Sequence, residues 1–191
     1  MRHRCELTVL SLGIGIPANK VERLTFDVHG ILEDIKHYGT TRIANARLRK
    51  EAPTVPSGKV EENWRMFSAI SIEDFLVIKN QYEREYHRVL DGFTEKYLGA
   101  NIVVKGVDNF SLCPIGSVLD FYGEGPTLCI CSENTSCKTP GILIAQDFNL
   151  PKDEAKKFVH FANGHRGVVG KVLKKGLLVP GMEGILYEPG F

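Results

Sequence analysis

The stretch Leu128-Cys129-Ile130-Cys131-Ser132-Glu133-Asn134-Thr135-Ser136-Cys137-Lys138-Thr139-Pro140-Gly141 decides the fold. Its first half alternates like a strand that carries Cys129 and Cys131 on one face, because side chains two apart in a strand point the same way. Its second half is polar and ends in Pro-Gly, a turn and breaker signal. Pro140 suits the first turn of a helix that Gly141-Ile142-Leu143-Ile144 can continue. Cys137 therefore sits between a strand and a helix start, beside Lys138, where a lowered thiol pKa is expected. This places Cys137 at the functional centre, and leaves Cys129 and Cys131 as thiols kept protonated in an apolar strand.

Working outward, residues 6–14 read as a first strand and 20–26 as a second, half-buried one. Residues 27–39 form a loop holding Asp27, His29, Asp34 and His37, and residues 40–63 are polar with Pro53 and Pro56, the pattern of a flexible lid or surface excursion. Residues 64–70 read as a strand. Ser71-Ile72-Glu73-Asp74 then starts a helix over 73–89 with Phe75, Ile78, Tyr82 and Val89 on its apolar stripe. A short helix follows near 92–98. From residue 100 the pattern is mostly β, with strands near 101–105, 115–121, 127–132, 166–173 and 184–187, and one amphipathic helix over 153–163. The prediction is a single domain over 1–191, mixed α/β, built on a β-barrel with inserted helices and with the main part of the barrel in 100–191.

Composition narrows the function. The 24 basic and 23 acidic residues nearly cancel, so no footprint for nucleic acid or an anionic membrane is present. No apolar run reaches the roughly 20 residues of a membrane span, and no secretory signal is evident at the N-terminus. Five cysteines without regular spacing argue for reduced thiols in a cytoplasmic setting. A zinc site from Cys129, Cys131, Cys137 and a histidine stands as a minor alternative, since this spacing is not a familiar ligand pattern.

In order along the chain, four stretches resemble the MOSC domain, named for the C-terminal domain of molybdenum cofactor sulfurase. They are Phe26-Asp27-Val28-His29-Gly30-Ile31 leading to Asp34-Ile35-Lys36-His37-Tyr38-Gly39; Arg65-Met66-Phe67-Ser68-Ala69-Ile70; Gly99-Ala100-Asn101-Ile102 with Ile115-Gly116-Ser117; and Glu133-Asn134-Thr135-Ser136-Cys137 with Gly164-His165-Arg166-Gly167-Val168-Val169-Gly170. Glu33 departs from the family's glycine, and Lys36 widens the Asp34–His37 spacing by one residue. The resemblance, to a stand-alone bacterial-type member, implies a β-barrel-like fold around a molybdenum pyranopterin cofactor. It implies Cys137 as metal ligand or persulfide-type sulfur carrier. It leaves open a reductase of N-hydroxylated compounds or sulfurtransferase-like enzyme, and a non-enzymatic module that delivers sulfur or cofactor. A redox partner or a cysteine desulfurase would then be the partner protein. The pyridoxal phosphate domain of the sulfurases is not expected within these 191 residues.

Within that reading, Asp34 and His37 form a candidate acid–base pair, since a carboxylate can orient an imidazole; a histidine that merely bonds backbone is the alternative. Arg166 and Arg65 are candidates for the cofactor phosphate, which a guanidinium grips through two hydrogen bonds, with glycine 167 allowing close approach; a surface ion pair is the alternative for Arg65. Asn101, Asn134 and Lys138 complete the candidate cofactor contacts, although either amide can simply satisfy backbone groups.

Overall fold

A computed structural model describes residues 2–43, 58–151 and 153–190. In chain order the described strands are β1 (Arg2–Ile14), β2 (Asn19–Val21), β3 (Leu24–Asp27), β4 (Gly30–Ile31), β5 (Thr41–Ile43), β6 (Val60–Glu62), β7 (Phe67–Ser71), β8 (Ile102–Lys105), β9 (Val118–Phe121), β10 (Thr127–Glu133), β11 (Val168–Lys174), β12 (Gly176–Leu178) and β13 (Glu183–Glu188). The described α-helices are α1 (Ile72–Tyr86), α2 (Lys138–Asp147) and α3 (Glu154–Phe161), and short 3-10 helices span Glu95–Leu98, within the short helix expected near 92–98, and Phe110–Leu112.

Seven strands close a barrel in the order β13-β9-β10-β11-β7-β8-β1, and β1 pairs back onto β13 with Leu7 opposite Gly184. Closure removes the open sheet edges that would otherwise invite further pairing. The mixed α/β barrel with inserted helices is therefore the observed fold, and five of its seven strands lie in 100–191. All barrel pairings are antiparallel except β7–β8, where Ala69 stands beside Ile102. A parallel pair needs a long crossover, and α1 supplies much of it. Ser71 caps α1, its Oγ accepting from the Asp74 N–H at 3.1 Å.

Two apolar clusters fill the molecule. One lies inside the barrel, with Leu7, Phe67, Ile102, Leu119, Leu128 and Val168 among its members. The other packs Phe75, Ile78 and Tyr82 of α1 against Phe93, Ile144 and Phe158. Val89, expected on the α1 stripe, instead lies beyond the helix, which ends at a left-handed His87, and is 66% exposed. The expected strand over 20–26 is two strands: β2 pairs with β1, whereas β3 joins β12 and β4 in a separate three-stranded sheet. Of the expected 40–63 excursion, the ends form the β5–β6 ribbon, with Thr41 opposite Glu62; the proline-bearing part lies outside the described residues.

The approach of β7 to β11 is close. A Cβ at Gly170 would stand 1.9 Å from the Cys129 carbonyl oxygen and 2.8 Å from the Phe67 ring. One at Gly167, where φ is +81°, would stand 2.0 Å from the Ala69 carbonyl oxygen. Overpacking of this kind costs about 1–3 kcal/mol, so Gly170→Ala is expected to lower unfolding stability by that amount. The substitution of exposed Leu173 on the same strand should change it by less than about 0.5 kcal/mol. Urea unfolding of the two variants checks this, and equal midpoints would show that the strands can separate freely.

Candidate functional site

The distinctive loop after β3 is stitched together by its own side chains. Tyr38 donates to Asp27 Oδ2 at 2.6 Å, and the other Asp27 oxygen accepts from the His29 N–H at 2.7 Å. Glu33, one of the departures from the MOSC pattern, accepts from the Thr25 N–H at 2.9 Å and from its hydroxyl at 2.8 Å, pinning the loop to β3. The turn that follows, with His37 N–H donating to the Asp34 carbonyl, brings the two candidate side chains together despite Lys36. His37 Nδ1 lies 3.0 Å from Asp34 Oδ2.

Asn101 holds that carboxylate in place. Its amide donates to Asp34 Oδ2 at 3.0 Å and to the Gly13 carbonyl at 3.3 Å, and its Oδ1 accepts from the Ser68 N–H and hydroxyl. Every polar atom of this buried amide is thus engaged by protein groups, so Asn101 positions Asp34 and has no amide donor left over for a ligand. Burial pushes the Asp34 carboxyl up, but the His37 hydrogen bond and charge together with the Asn101 amide outweigh it and hold it below the usual carboxylate range.

Cys137 is the N-cap residue of α2, with extended backbone (φ −130°, ψ 165°), so the helix begins at Lys138, two residues ahead of Pro140. Its neighbour Ser136 donates to the Ala162 carbonyl at 3.0 Å, and Asn134 N–H donates to the Gly167 carbonyl at 2.8 Å. These bonds bring the two halves of the fourth sequence stretch side by side. Arg65 Nη2 donates to Asn134 Oδ1 at 2.9 Å, and the wholly buried Arg166 donates through Nη2 to the Leu98 carbonyl.

Six of the eight sequence candidates, Asp34, His37, Arg65, Asn101, Cys137 and Arg166, line one cavity of about 490 Å³. Asn134 stands behind Arg65. Lys138 is exposed and does not reach the cavity wall, because the helix turns it outward. Gly167 itself lies against β7, where a Cβ would meet the Ala69 carbonyl oxygen. Among the described residues no three His, Cys, Asp or Glu side chains converge as a metal-binding group, so the zinc alternative finds no site there.

Sequence reasoning missed three supports. Asn63 donates to the His37 and Gly39 carbonyls, both at 2.8 Å, and accepts from the Arg65 N–H, tying the loop to the strand. Asp74, read only as a helix-start acid, accepts from Ser111 N–H and hydroxyl at 2.7 and 2.6 Å, and Ser111 Oγ accepts from Gly167 N–H. The third is the rim at Gly99, where a Cβ would meet Ile16 at 2.2 Å.

Cys129 and Cys131 also differ from expectation. β10 buries Leu128 and Ile130 and turns both thiols to the outer face, half-buried. The Cys131 thiol donates to Cys129, and this bond, opposed by burial and aided by Lys171, brings the Cys129 pKa down to about 7; the same bond and burial push Cys131 up.

A carboxyl whose folded pKa is depressed contributes stability that is present above its unfolded pKa of about 4 and lost as pH falls through the folded value. Replacing Asp34 by Asn should therefore shrink the stability difference between neutrality and about pH 3. Urea midpoints at the two pH values read this directly, and an unchanged difference would remove Asp34 from the acid response.

No family profile matches the sequence. The chain is 32% identical over 164 residues to YuaD of Bacillus subtilis (strain 168), named as a candidate metal-sulfur cluster biosynthesis protein, covering 86% of this chain and 79% of that one. The crystal structure of Bacillus subtilis YuaD superposes over 100% of both chains with a TM-score of 0.85 at 28% identity. YiiM from Escherichia coli (TM-score 0.61, 14% identity, 98% of this chain and 72% of that one) and from Geobacillus stearothermophilus (0.57, 18%, 96% and 76%) share the fold. The barrel fold is thus shared with YuaD and YiiM, and by its identity to YuaD over most of both chains the protein belongs to the YuaD family.

Proposed function

We propose that this is a MOSC-type protein that binds a molybdenum pyranopterin cofactor in the 490 Å³ cavity, with Cys137 as the metal ligand. The observation that carries the reading is the meeting of one thiol at a helix N-terminus with two guanidinium groups and an Asp–His pair in a single cavity. The donor set fits the group: a thiolate is a soft ligand for such a metal, and Arg65 and Arg166 are suited to its phosphate. When bound, the cofactor supplies two-electron redox chemistry.

The chain's own residues do the rest. Asn134 and the Leu98 carbonyl hold the two guanidinium groups in the wall, so little side-chain freedom is lost when an anion arrives. Asp34 orients the His37 ring through Nδ1, leaving Nε2 to take or give a proton to a substrate. N-hydroxylated compounds are the substrate class, and the electrons come from a redox partner protein. Five free thiols suit a reducing, cytoplasmic setting, and no described helix is long and apolar enough to cross a membrane.

A second reading is favoured by the family: YuaD is named for metal-sulfur cluster biosynthesis. Here Cys137 carries sulfur as a persulfide received from a cysteine desulfurase, and the protein delivers it to a partner without turning over a substrate.

Protein expressed in cells that make the pterin cofactor is expected to purify with molybdenum, and Cys137→Ser to lose it by at least about tenfold (~1.4 kcal/mol) with unfolding stability preserved. Arg166 is too deeply buried for its replacement to separate binding from folding, so Arg65→Gln is the better probe of phosphate contact. Cyanide-labile sulfur on Cys137 without bound molybdenum would instead support the carrier, and absence of both would overturn the two readings together.

A further inference from the structure

Cys129 and Cys131 stand in a second place, a groove of about 310 Å³ on the outer face of the barrel, with Trp64, Ile115 and Lys171. It shares no lining residue with the cavity around Cys137. The geometry is that of a pair. Residues two apart in a strand share a face, with Cα atoms about 6.6 Å apart, near the upper limit of about 6.8 Å for a disulfide, which also needs Cβ atoms within roughly 3.5–4.5 Å, so the strand must bend to close one. The strand is also bulged at Cys131: Ile130 opposes Gly170 and Ser132 opposes Val169, which leaves Cys131 as the extra residue. A bulge bends its strand locally, and both thiols reach backbone carbonyls of this bend, Cys131 that of Cys129 and Cys129 that of Ile130, each at 3.7 Å.

We propose that Cys129 and Cys131 form a thiol–disulfide exchange site, separate from Cys137, whose substrates are low-molecular-weight disulfides. Cys129 is the attacking thiolate. It forms a bond to one sulfur of the substrate disulfide, the substrate S–S bond breaks, and the first thiolate leaves and takes a proton from water. Cys131 then gives its proton to water and attacks the Cys129 sulfur, forming the intramolecular disulfide and expelling the second thiolate. The protein dithiol loses two electrons and the substrate gains them, becoming two thiols.

The asymmetry of the pair supports these roles. A thiol donating to its neighbour's sulfur stabilises the neighbour as thiolate, and Cys129, with a pKa of about 7, is a nucleophile near neutrality. The charged groups that face it are Lys171 from β11 and Glu62 from β6, which pairs with Lys171; β9 places uncharged Val118 opposite. Trp64 and Ile115 give the groove an apolar wall on which the rest of a substrate can rest.

The test uses the full chain and oxidised glutathione, followed by alkylation and peptide mass mapping. The expected result is a Cys129–Cys131 disulfide, two hydrogens lighter, formed before any change at Cys5, Cys113 or Cys137. Its rate should rise with pH through about 7, and Lys171→Met should move that rise to higher pH. Cys131→Ser should accumulate the glutathione mixed disulfide on Cys129, and Cys129→Ser should slow the reaction at least tenfold while Cys137→Ser leaves it unchanged. First modification at Cys137 or Cys113, or a Cys131→Ser chain that gathers no adduct on Cys129, overturns the proposal. The wild-type map decides it even if a variant fails to fold.

Discussion

The arrangement depends on one buried side-chain amide. Asn101 lies where β1, β7 and the start of β8 converge, and a buried amide must find partners for its oxygen and both its hydrogens. Here the oxygen is taken by Ser68 at the end of the crossover pair, one hydrogen by Gly13 of β1 and the other by Asp34. The backbone of Asn101 completes the join, donating to the Ser68 carbonyl and accepting from Gly13 N–H. Leaving any of these groups unsatisfied costs about 1–3 kcal/mol, so the closure of the barrel and the placement of the Asp34 carboxylate are coupled. The Asp34 loop cannot drift from the rim without leaving part of the amide that joins the strands unsatisfied.

A second polar network does the same for the segment that carries Arg166. Asp74, in the first turn of α1, is buried and accepts two bonds from Ser111, which in turn receives the Gly167 N–H. His165 lies 3.4 Å from the other Asp74 oxygen. The segment 165–167 is therefore fixed from below by α1, and Arg166 between these anchors has little freedom to swing. A buried guanidinium is costly unless bonds are made for it, and Arg166 donates to the Leu98 carbonyl. Preorganisation of this kind is what a charged wall needs if it is to bind an anion.

Much of this was readable in advance, and the failures have physical reasons. Glycine- and proline-bounded alternating runs marked the barrel strands, and the serine-then-acid start placed α1 within a residue. The order of four polar stretches brought six of eight candidate residues to one cavity. Alternation could say that Cys129 and Cys131 share a face, but a strand apolar on both sides does not reveal which face is the core. That choice is made by Gly170, which lets β11 lie against β10 with the Phe67 ring inside. Asn63 and Asp74 were hidden for a different reason: each acts through a partner far along the chain, and no local spacing encodes such contacts. Lys138 failed because position after the N-cap fixes where a side chain points more firmly than its charge does.

The two thiol environments on this one segment differ in what surrounds each sulfur. Along β10, Leu128 and Ile130 reach into the barrel while Cys129 and Cys131 stand outside, so the barrel wall lies between those sulfurs and the interior. The chain then leaves the sheet at Glu133, is tied down through Asn134 and Ser136, and delivers Cys137 to the helix start on the cavity side. Cys129 is set by contacts within its own strand and by one lysine opposite, whereas Cys137 is set by a helix end and by the far side of the fold. The two sets meet in one short segment, because Glu62, which pairs with Lys171, and Trp64, in the groove wall, alternate with Asn63, which holds the His37 loop, and Arg65, which lines the cavity. A change of charge at the outer pair therefore has a covalent route to the cavity along residues 62–65.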